Sequence, residues 1–253
     1  MPVFTKGKKN LLFIHVPKTG GTSMEMLFQL SGWRTGYLDL NLKGKSFNHL
    51  RICAPQHMHA EMLKQQLVLH KFNGVFMTVR HPYDRYRSEY AYKYKVNCDP
   101  SAVAVETWTR TVLKAYSKDQ FIFDNHIRPQ HEFYLPGTTV YKLENGFNKM
   151  IPDLAKKYKI EFADKELRKM SRQEESGFSS SDVELNDTVK SMLNILYQQD
   201  FEQFGYKPDL VGDTPDTVND LLEQSWSRPF QQTPAFPKWI LRLFSRRRVD
   251  RRL

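Results

Sequence analysis

The sequence predicts an α/β domain in three layers, with helices covering a central, mainly parallel sheet. Three observations carry this. Short apolar runs recur between amphipathic stretches, the first run passes through a glycine turn into a helix, and a later run ends on an arginine followed by a Pro-initiated helix.

Asn10 to Val16 is a short, apolar, partly β-branched run bounded by polar residues, which reads as a buried strand. It stops at Pro17-Lys18-Thr19-Gly20-Gly21-Thr22-Ser23, after which Met24, Leu27 and Phe28 recur at helical spacing. Arg51 to Ala54 reads as a second short strand, followed by a helical stretch through Met58, Met62, Leu63 and Leu67. After the Asn73-Gly74 turn, Val75 to Val79 is a strand closed by Arg80. Pro82 opens a helix in which Tyr83, Tyr86 and Tyr90 pack inward while Arg85 and Arg87 are solvated. Residues 102–116 and 119–126 read as helical, and Thr138 to Leu143 as a strand. The helical segment that follows is kinked or restarted at Pro152, and Ser176 to Ser181 reads as a mobile loop. Leu185, Val189, Met192, Leu193, Leu196 and Tyr197 form one apolar helical face, which ends at Phe204-Gly205-Tyr206 with Gly205 as the C-cap. Residues 1–210 therefore form one domain, and 211–253, rich in Pro and Arg, an appendage.

Composition narrows the classes. The chain has 253 residues, 40% hydrophobic and 26% charged, enough for a buried core and unlike a disordered or fibrous chain. No apolar run approaches the roughly 20 residues that cross a bilayer. The run at Leu11 to Val16 is too short for a signal-peptide core. Two cysteines, Cys53 and Cys98, make no disulfide framework and favour a reducing, cytoplasmic setting. Of the formal net charge of +10, +6 lies in residues 234–253, where seven Lys and Arg face Asp250 alone. The charge therefore describes the tail more than the folded body.

The turn at 17–23 has the chemistry of a phosphate site. Glycines let backbone N–H groups approach an anion, the helix N-terminus adds partial positive charge, and Lys18 supplies a point charge. This P-loop-like turn is not the Walker pattern, because Lys18 precedes both glycines, and no magnesium-binding carboxylate is in evidence. Arg80 and Ser88, eight positions apart, suit a second phosphate. Ligands of open α/β sheets bind outside the carboxyl ends of the strands, which puts Arg80 and Lys18 on one edge.

Taken together, these segments resemble the sulfotransferases that use 3′-phosphoadenosine-5′-phosphosulfate (PAPS). The likeness is strongest to the carbohydrate branch that includes heparan and chondroitin sulfotransferases and their bacterial relatives. Phe13 to Ser23 resembles the 5′-phosphosulfate loop, which implies donor contacts from Lys18, Thr19, Gly20, Gly21, Thr22 and Ser23. Arg80 through Ser88 resembles the 3′-phosphate segment. Asp124 to Gln130, Tyr141 to Glu144 and Asp200 to Tyr206 are similar to later family stretches, in the same order. The family places a catalytic base, usually His, after the second strand. Here that place holds Gln56-His57-Met58-His59, so His57 is the expected base and His59 its rival. His15 reads as a packed strand residue, while His126 and Arg128 are expected at the acceptor or nucleotide.

The resemblance implies PAPS as co-substrate, 3′,5′-ADP as product, and a carbohydrate or glycolipid acceptor; no metal is expected, because no carboxylate or Cys cluster completes a site with the His-x-His spacing at His57 and His59. No nucleic-acid partner is expected. The rival classes are a P-loop kinase, which would need a Walker lysine, and a non-catalytic module for anionic polymers or membranes, which leaves the paired phosphate sites unexplained. Phe236, Trp239, Ile240, Leu243 and Phe244 form a short apolar face before an Arg cluster. Residues 236–253 therefore either meet an anionic membrane surface, as on the inner membrane face, or pack on the domain.

Overall fold

The computed structural model describes residues 1–39, 50–94, 98–163 and 179–212. Among these, strands β1 (Val3–Lys6), β2 (Lys9–Ile14), β3 (Arg34–Gly36), β4 (Gly74–Val79) and β5 (Thr139–Lys142) form one sheet in the order β3-β1-β2-β4-β5. The helices are α1 (Gly21–Leu30), α2 (Ala60–Gln66), α3 (Pro82–Lys93), α4 (Ala102–Tyr116), α5 (Phe147–Tyr158), α6 (Asp187–Leu196) and α7 (Gln198–Phe204).

The sheet is mixed rather than mainly parallel. β2–β4 and β4–β5 pair in parallel, whereas β1 is antiparallel to both β2 and β3. The extra antiparallel strand comes from a two-residue hairpin. Lys6 pairs Lys9 across Gly7-Lys8, and Gly7 takes the positive φ (58°) that such a tight turn needs. β1 is only four residues long, with Phe4 fully buried, too little alternation to register as a strand in sequence.

β2 shows why the sheet needs cover on both sides. Leu11, Leu12, Phe13 and Ile14 are all fully buried, about 1.5–3 kcal/mol each relative to exposure. Successive side chains alternate faces. Leu11 and Phe13 join Phe4, Phe76, Met24, Phe28, Met150 and Leu154 in a cluster with α1 and α5. Leu12 and Ile14 join Met77, Val79, Met58, Leu63 and Phe133 on the other side. A third cluster gathers Tyr83, Tyr86, Tyr90, Trp108, Val112, Met192 and Leu193 from α3, α4 and α6, joined by Ile127, Val183 and Leu185 from connecting segments. The three tyrosines thus pack inward as expected. Caps set several boundaries: Ser101 accepts the Ala104 N–H at α4 and Asn186 the Val189 N–H at α6, each worth about 1 kcal/mol. Gly205, at φ 60°, ends α7.

Several expected elements differ. Residues 51–54 form no strand. Pro55 lacks an N–H, Ala54 gives its own N–H to the Asp124 side chain, and the place beside β2 is taken by β4. Residues 55–57 form a single 3₁₀ turn instead. Residues 119–126 are not an α-helix either: a 3₁₀ turn at Ile122–Asn125 contains Phe123, Asp124 and Asn125 at φ 52°, 59° and 66°. One helix, α5, runs through Pro152. The apolar face at 185–197 ends at Leu196, and α7 follows as a separate helix. Ser179 caps a 3₁₀ turn at Ser180–Asp182, while residues 176–178 and the tail from 213, with the apolar face at 236–244, lie outside the described residues. No described helix is long and apolar enough to cross a membrane.

Candidate active site

The parallel strands β2, β4 and β5 deliver their carboxyl ends to one edge, and a cavity of about 760 Å³ opens there. Two groups of residues line it. One is the set Lys18, Gly20, Gly21, Thr22, Ser23, with Arg80 and Ser88; the other is His15, His57, Asp124 and His126.

The first group is built from strand ends and helix starts. α1 begins without a side-chain cap, so its first N–H groups remain available to an anion at the cavity wall. Gly20 turns the chain at φ 83°, and a Cβ on Gly21 would stand 2.2 Å from His15 Nε2, so both glycines are dictated by the turn and by His15. Lys18 Nζ lies 4.1 Å from the centre of the Tyr92 ring. Thr19 departs from its expected role. It is fully buried, bonds the Val16 carbonyl (2.8 Å) and the Thr78 hydroxyl (2.9 Å), and does not line the cavity. It braces the turn from beneath.

Arg80 is held by its backbone. The Gln130 carboxamide accepts the Arg80 N–H (3.0 Å) and donates to the Arg80 carbonyl (2.8 Å). Gln130 is in turn fixed by Asp200, whose carboxylate accepts the backbone N–H groups of Gln130 (2.8 Å) and His131 (2.7 Å). Glu144 accepts the His81 N–H and the Tyr206 hydroxyl. The segments at 124–130, 141–144 and 200–206 thus converge behind the strand end that presents Arg80.

Arg85 is the largest surprise. Expected to be solvated, it is 2% exposed and donates to three carbonyls: Pro17 (3.0 Å), His126 (2.7 Å) and Arg128 (2.9 Å). It ties the turn after β2 to the segment carrying His126. Arg85 and Glu89 are four apart on α3, a spacing that ordinarily marks a surface ion pair; here both turn inward to separate partners. Arg87 behaves as a surface brace to Asp84 and Val183.

In the second group, each of three histidines gives Nδ1 to a carboxylate at 2.6 Å: His15 to Glu25, His57 to Asp124, His126 to Glu89. The rings meet edge to face, His15–His57 at 5.0 Å and His57–His126 at 4.9 Å between centroids. His15 is therefore a cavity residue just past β2 rather than a packed strand residue, and His126 also lines the cavity. Burial pulls the His57 imidazole down to about 3, opposed by its bond to Asp124, so His57 is neutral near pH 7. Burial raises the Asp124 carboxyl, but bonds from His57 and the Ala54 N–H outweigh it, and Asp124 stays ionised below its ordinary value.

His59 and Arg128 stand elsewhere. His59 is 2% exposed, off the cavity lining, with its ring 5.8 Å from that of Phe121. Arg128, also 2% exposed, bonds the Asn125 side chain (2.9 Å), Glu132 and the Gln120 carbonyl, and does not line the cavity.

His57, Asp124 and His126 are the described residues whose grouping suits a metal, with donor atoms within 4.8 Å of one another. Tetrahedral zinc ligands at about 2.0–2.2 Å stand roughly 3.3 Å apart. Both Asp124 oxygens and the Nδ1 atoms of His57 and His126 serve hydrogen bonds as well. A neutral imidazole beside a cradle of cations and helix N–H groups suits transfer of an anionic group to a hydroxyl.

No curated protein and no solved structure matches the chain. The model of the sulfotransferase family matches residues 1–207, nearly the whole described fold and every cavity residue, and on that match the chain belongs to the sulfotransferase family.

Proposed function

We propose that this transferase moves a sulfuryl group from PAPS to a hydroxyl of a carbohydrate or glycolipid, releasing 3′,5′-ADP. The observation that carries the reading is one cavity shared by the Lys18–Ser23 turn, Arg80 with Ser88, and His57. Lys18 and the first amides of α1 hold the 5′-phosphosulfate and stabilise the departing phosphate oxygen. Arg80 and Ser88 hold the 3′-phosphate. His57, neutral through burial, takes the acceptor's hydroxyl proton as its oxygen attacks sulfur; the sulfur–phosphate oxygen bond breaks with its electron pair to the leaving nucleotide. Sulfate carries less charge than phosphate, so the cations of the cavity suffice without a metal.

The same reading takes the fold as P-loop-like in three layers and the protein as cytoplasmic. Residues 236–253 then add contact with an anionic membrane surface where glycolipid acceptors lie.

Nucleotide selectivity tests the donor assignment. 3′,5′-ADP should raise the melting temperature well above the effect of ADP or 5′-AMP, since only it fills both phosphate sites. Equal shifts with all three nucleotides would overturn the 3′-phosphate role of Arg80 and Ser88.

A further inference from the structure

His57 does not reach the cavity on a regular element; a distant segment grips it. Asp124 Oδ2 accepts the His57 Nδ1–H at 2.6 Å, and Asp124 Oδ1 accepts the Ala54 N–H at 2.6 Å. Asn125 Nδ2 donates to the His57 carbonyl at 2.8 Å. Residues 124 and 125 thus hold the turn at Pro55–His57 at its entry, its backbone and its ring, across 67–70 positions of sequence. To do so, Phe123, Asp124 and Asn125 all adopt left-handed backbone, which Asp and Asn tolerate and which is uncommon for a bulky residue such as Phe123.

We propose that Asp124 is the positioning residue of the transfer reaction: its carboxylate fixes His57 as the Nδ1–H tautomer, leaving the Nε2 lone pair for the acceptor's proton. This rests on the reading of His57 as the base. With Nδ1 committed to Asp124, Nε2 is the nitrogen through which His57 acts. When that proton arrives, His57 becomes an imidazolium, and the ionised carboxylate beside it offsets the charge in a site whose burial disfavours it. Asp124 is assigned to positioning because its two oxygens accept from the His57 Nδ1–H and the Ala54 N–H, which aims the carboxylate at the imidazole and the turn that carries it. Glu25 and Glu89 hold the neighbouring histidines in the same way, so the edge-to-face rings meet His57 in a fixed orientation.

The test reads the tautomer directly. In long-range proton–nitrogen spectra of the full chain labelled with ¹⁵N-histidine, with His57 assigned by its absence in His57→Gln, the wild type should show His57 as the Nδ1–H form. Asp124→Asn, whose amide can donate to Nδ1, should convert much of it to the Nε2–H form. It should lower kcat by about 10²–10³-fold while the Kd for 3′,5′-ADP stays within about threefold. Asp124→Glu should restore the tautomer and part of the rate. Asn125→Ala, which loosens the same turn without touching the ring, should keep the tautomer and lose much less of the rate than Asp124→Asn. An Nε2–H wild type, or equal losses in Asp124→Asn and Asn125→Ala, would overturn the proposal. If Asp124→Asn fails to fold, the wild-type and Asp124→Glu spectra still decide. If the tautomer follows Asp124 while the wild type sulfates no acceptor, the positioning role stands and the sulfotransfer reading of the site falls.

Discussion

The two ends of the cavity are made differently. The end proposed to hold the donor is local: Lys18 through Ser23 follow one another at the end of β2, and Arg80 closes β4. Its cations and amides come from a single turn and a strand end, and little else must move to assemble them. The end proposed to meet the acceptor is collected from afar. His15, His57 and His126 come from three segments, and each owes its orientation to a carboxylate 10, 67 or 37 positions away. The difference teaches where function is vulnerable: the donor end fails by loss of charge, the acceptor end by loss of alignment.

The largest expected effect separates chemistry from binding. His57→Ala should reduce kcat by about 10²–10⁴-fold and leave 3′,5′-ADP affinity nearly intact, as single-turnover rates and titration calorimetry would show. His59→Ala should be far milder, because His59 lies off the cavity. If the two swap, the acceptor end is organised around the wrong histidine.

Next comes the strut between the ends. Arg85→Met leaves the carbonyls of Pro17, His126 and Arg128 without their buried donor, at about 3 kcal/mol or on the order of 10 °C in melting temperature. Arg85→Lys should recover little, since one ammonium cannot reproduce the fork. A melting temperature unchanged in both variants would mean the two ends are not joined through Arg85.

Arg80→Ala should weaken 3′,5′-ADP about ten- to a hundredfold, the worth of a charge-assisted phosphate contact, while 5′-AMP binding changes little. Parallel losses for both nucleotides would move Arg80 from the 3′-phosphate to the shared 5′-phosphate.

The smallest effect is a pH slope. Burial pulls His57 and His59 to about 3, so above about pH 6.5 both are neutral folded or unfolded. As pH falls from there, the unfolded chain gains protons that the folded chain refuses. Stability is lost toward pH 3, by up to about 1.4 kcal/mol per pH unit for each histidine. Melting temperature should therefore drop between pH 7 and 4, and His59→Asn should flatten the slope. An unchanged slope in that variant would show that His59 is protonated in the fold.

The same contrast explains what could be read in the sequence. The turn at 17–23 and its place at the edge of the sheet were legible because its residues are contiguous. So were β2, β4, β5, the tyrosine face of α3 and the bounds of α4, each set by a period or a cap within one segment. The carboxylate partners of the histidines were not, because no spacing rule links Asp124 to His57 or Glu89 to His126. Arg85, expected to be solvated, was misread for the same reason: nothing within its own segment points to the carbonyls of Pro17, His126 and Arg128 that close over it. The false strand at 51–54 shows the converse, a locally adequate pattern overruled because β4 already holds the neighbouring place. Thr19 and Arg128 lie in segments that border the cavity, yet their side chains brace it from behind instead of facing it.

The central claim is that both ends serve one reaction, and transfer of labelled sulfate tests it most directly. The full chain is incubated with ³⁵S-labelled PAPS and whole-cell glycan and glycolipid extracts, with the product identified by mass and 3′,5′-ADP measured in the same sample. The account predicts a sulfated hydroxyl product and 3′,5′-ADP in equal amounts, both lost in His57→Ala. Selective binding of 3′,5′-ADP without label in any acceptor, or undiminished transfer by His57→Ala, would contradict it.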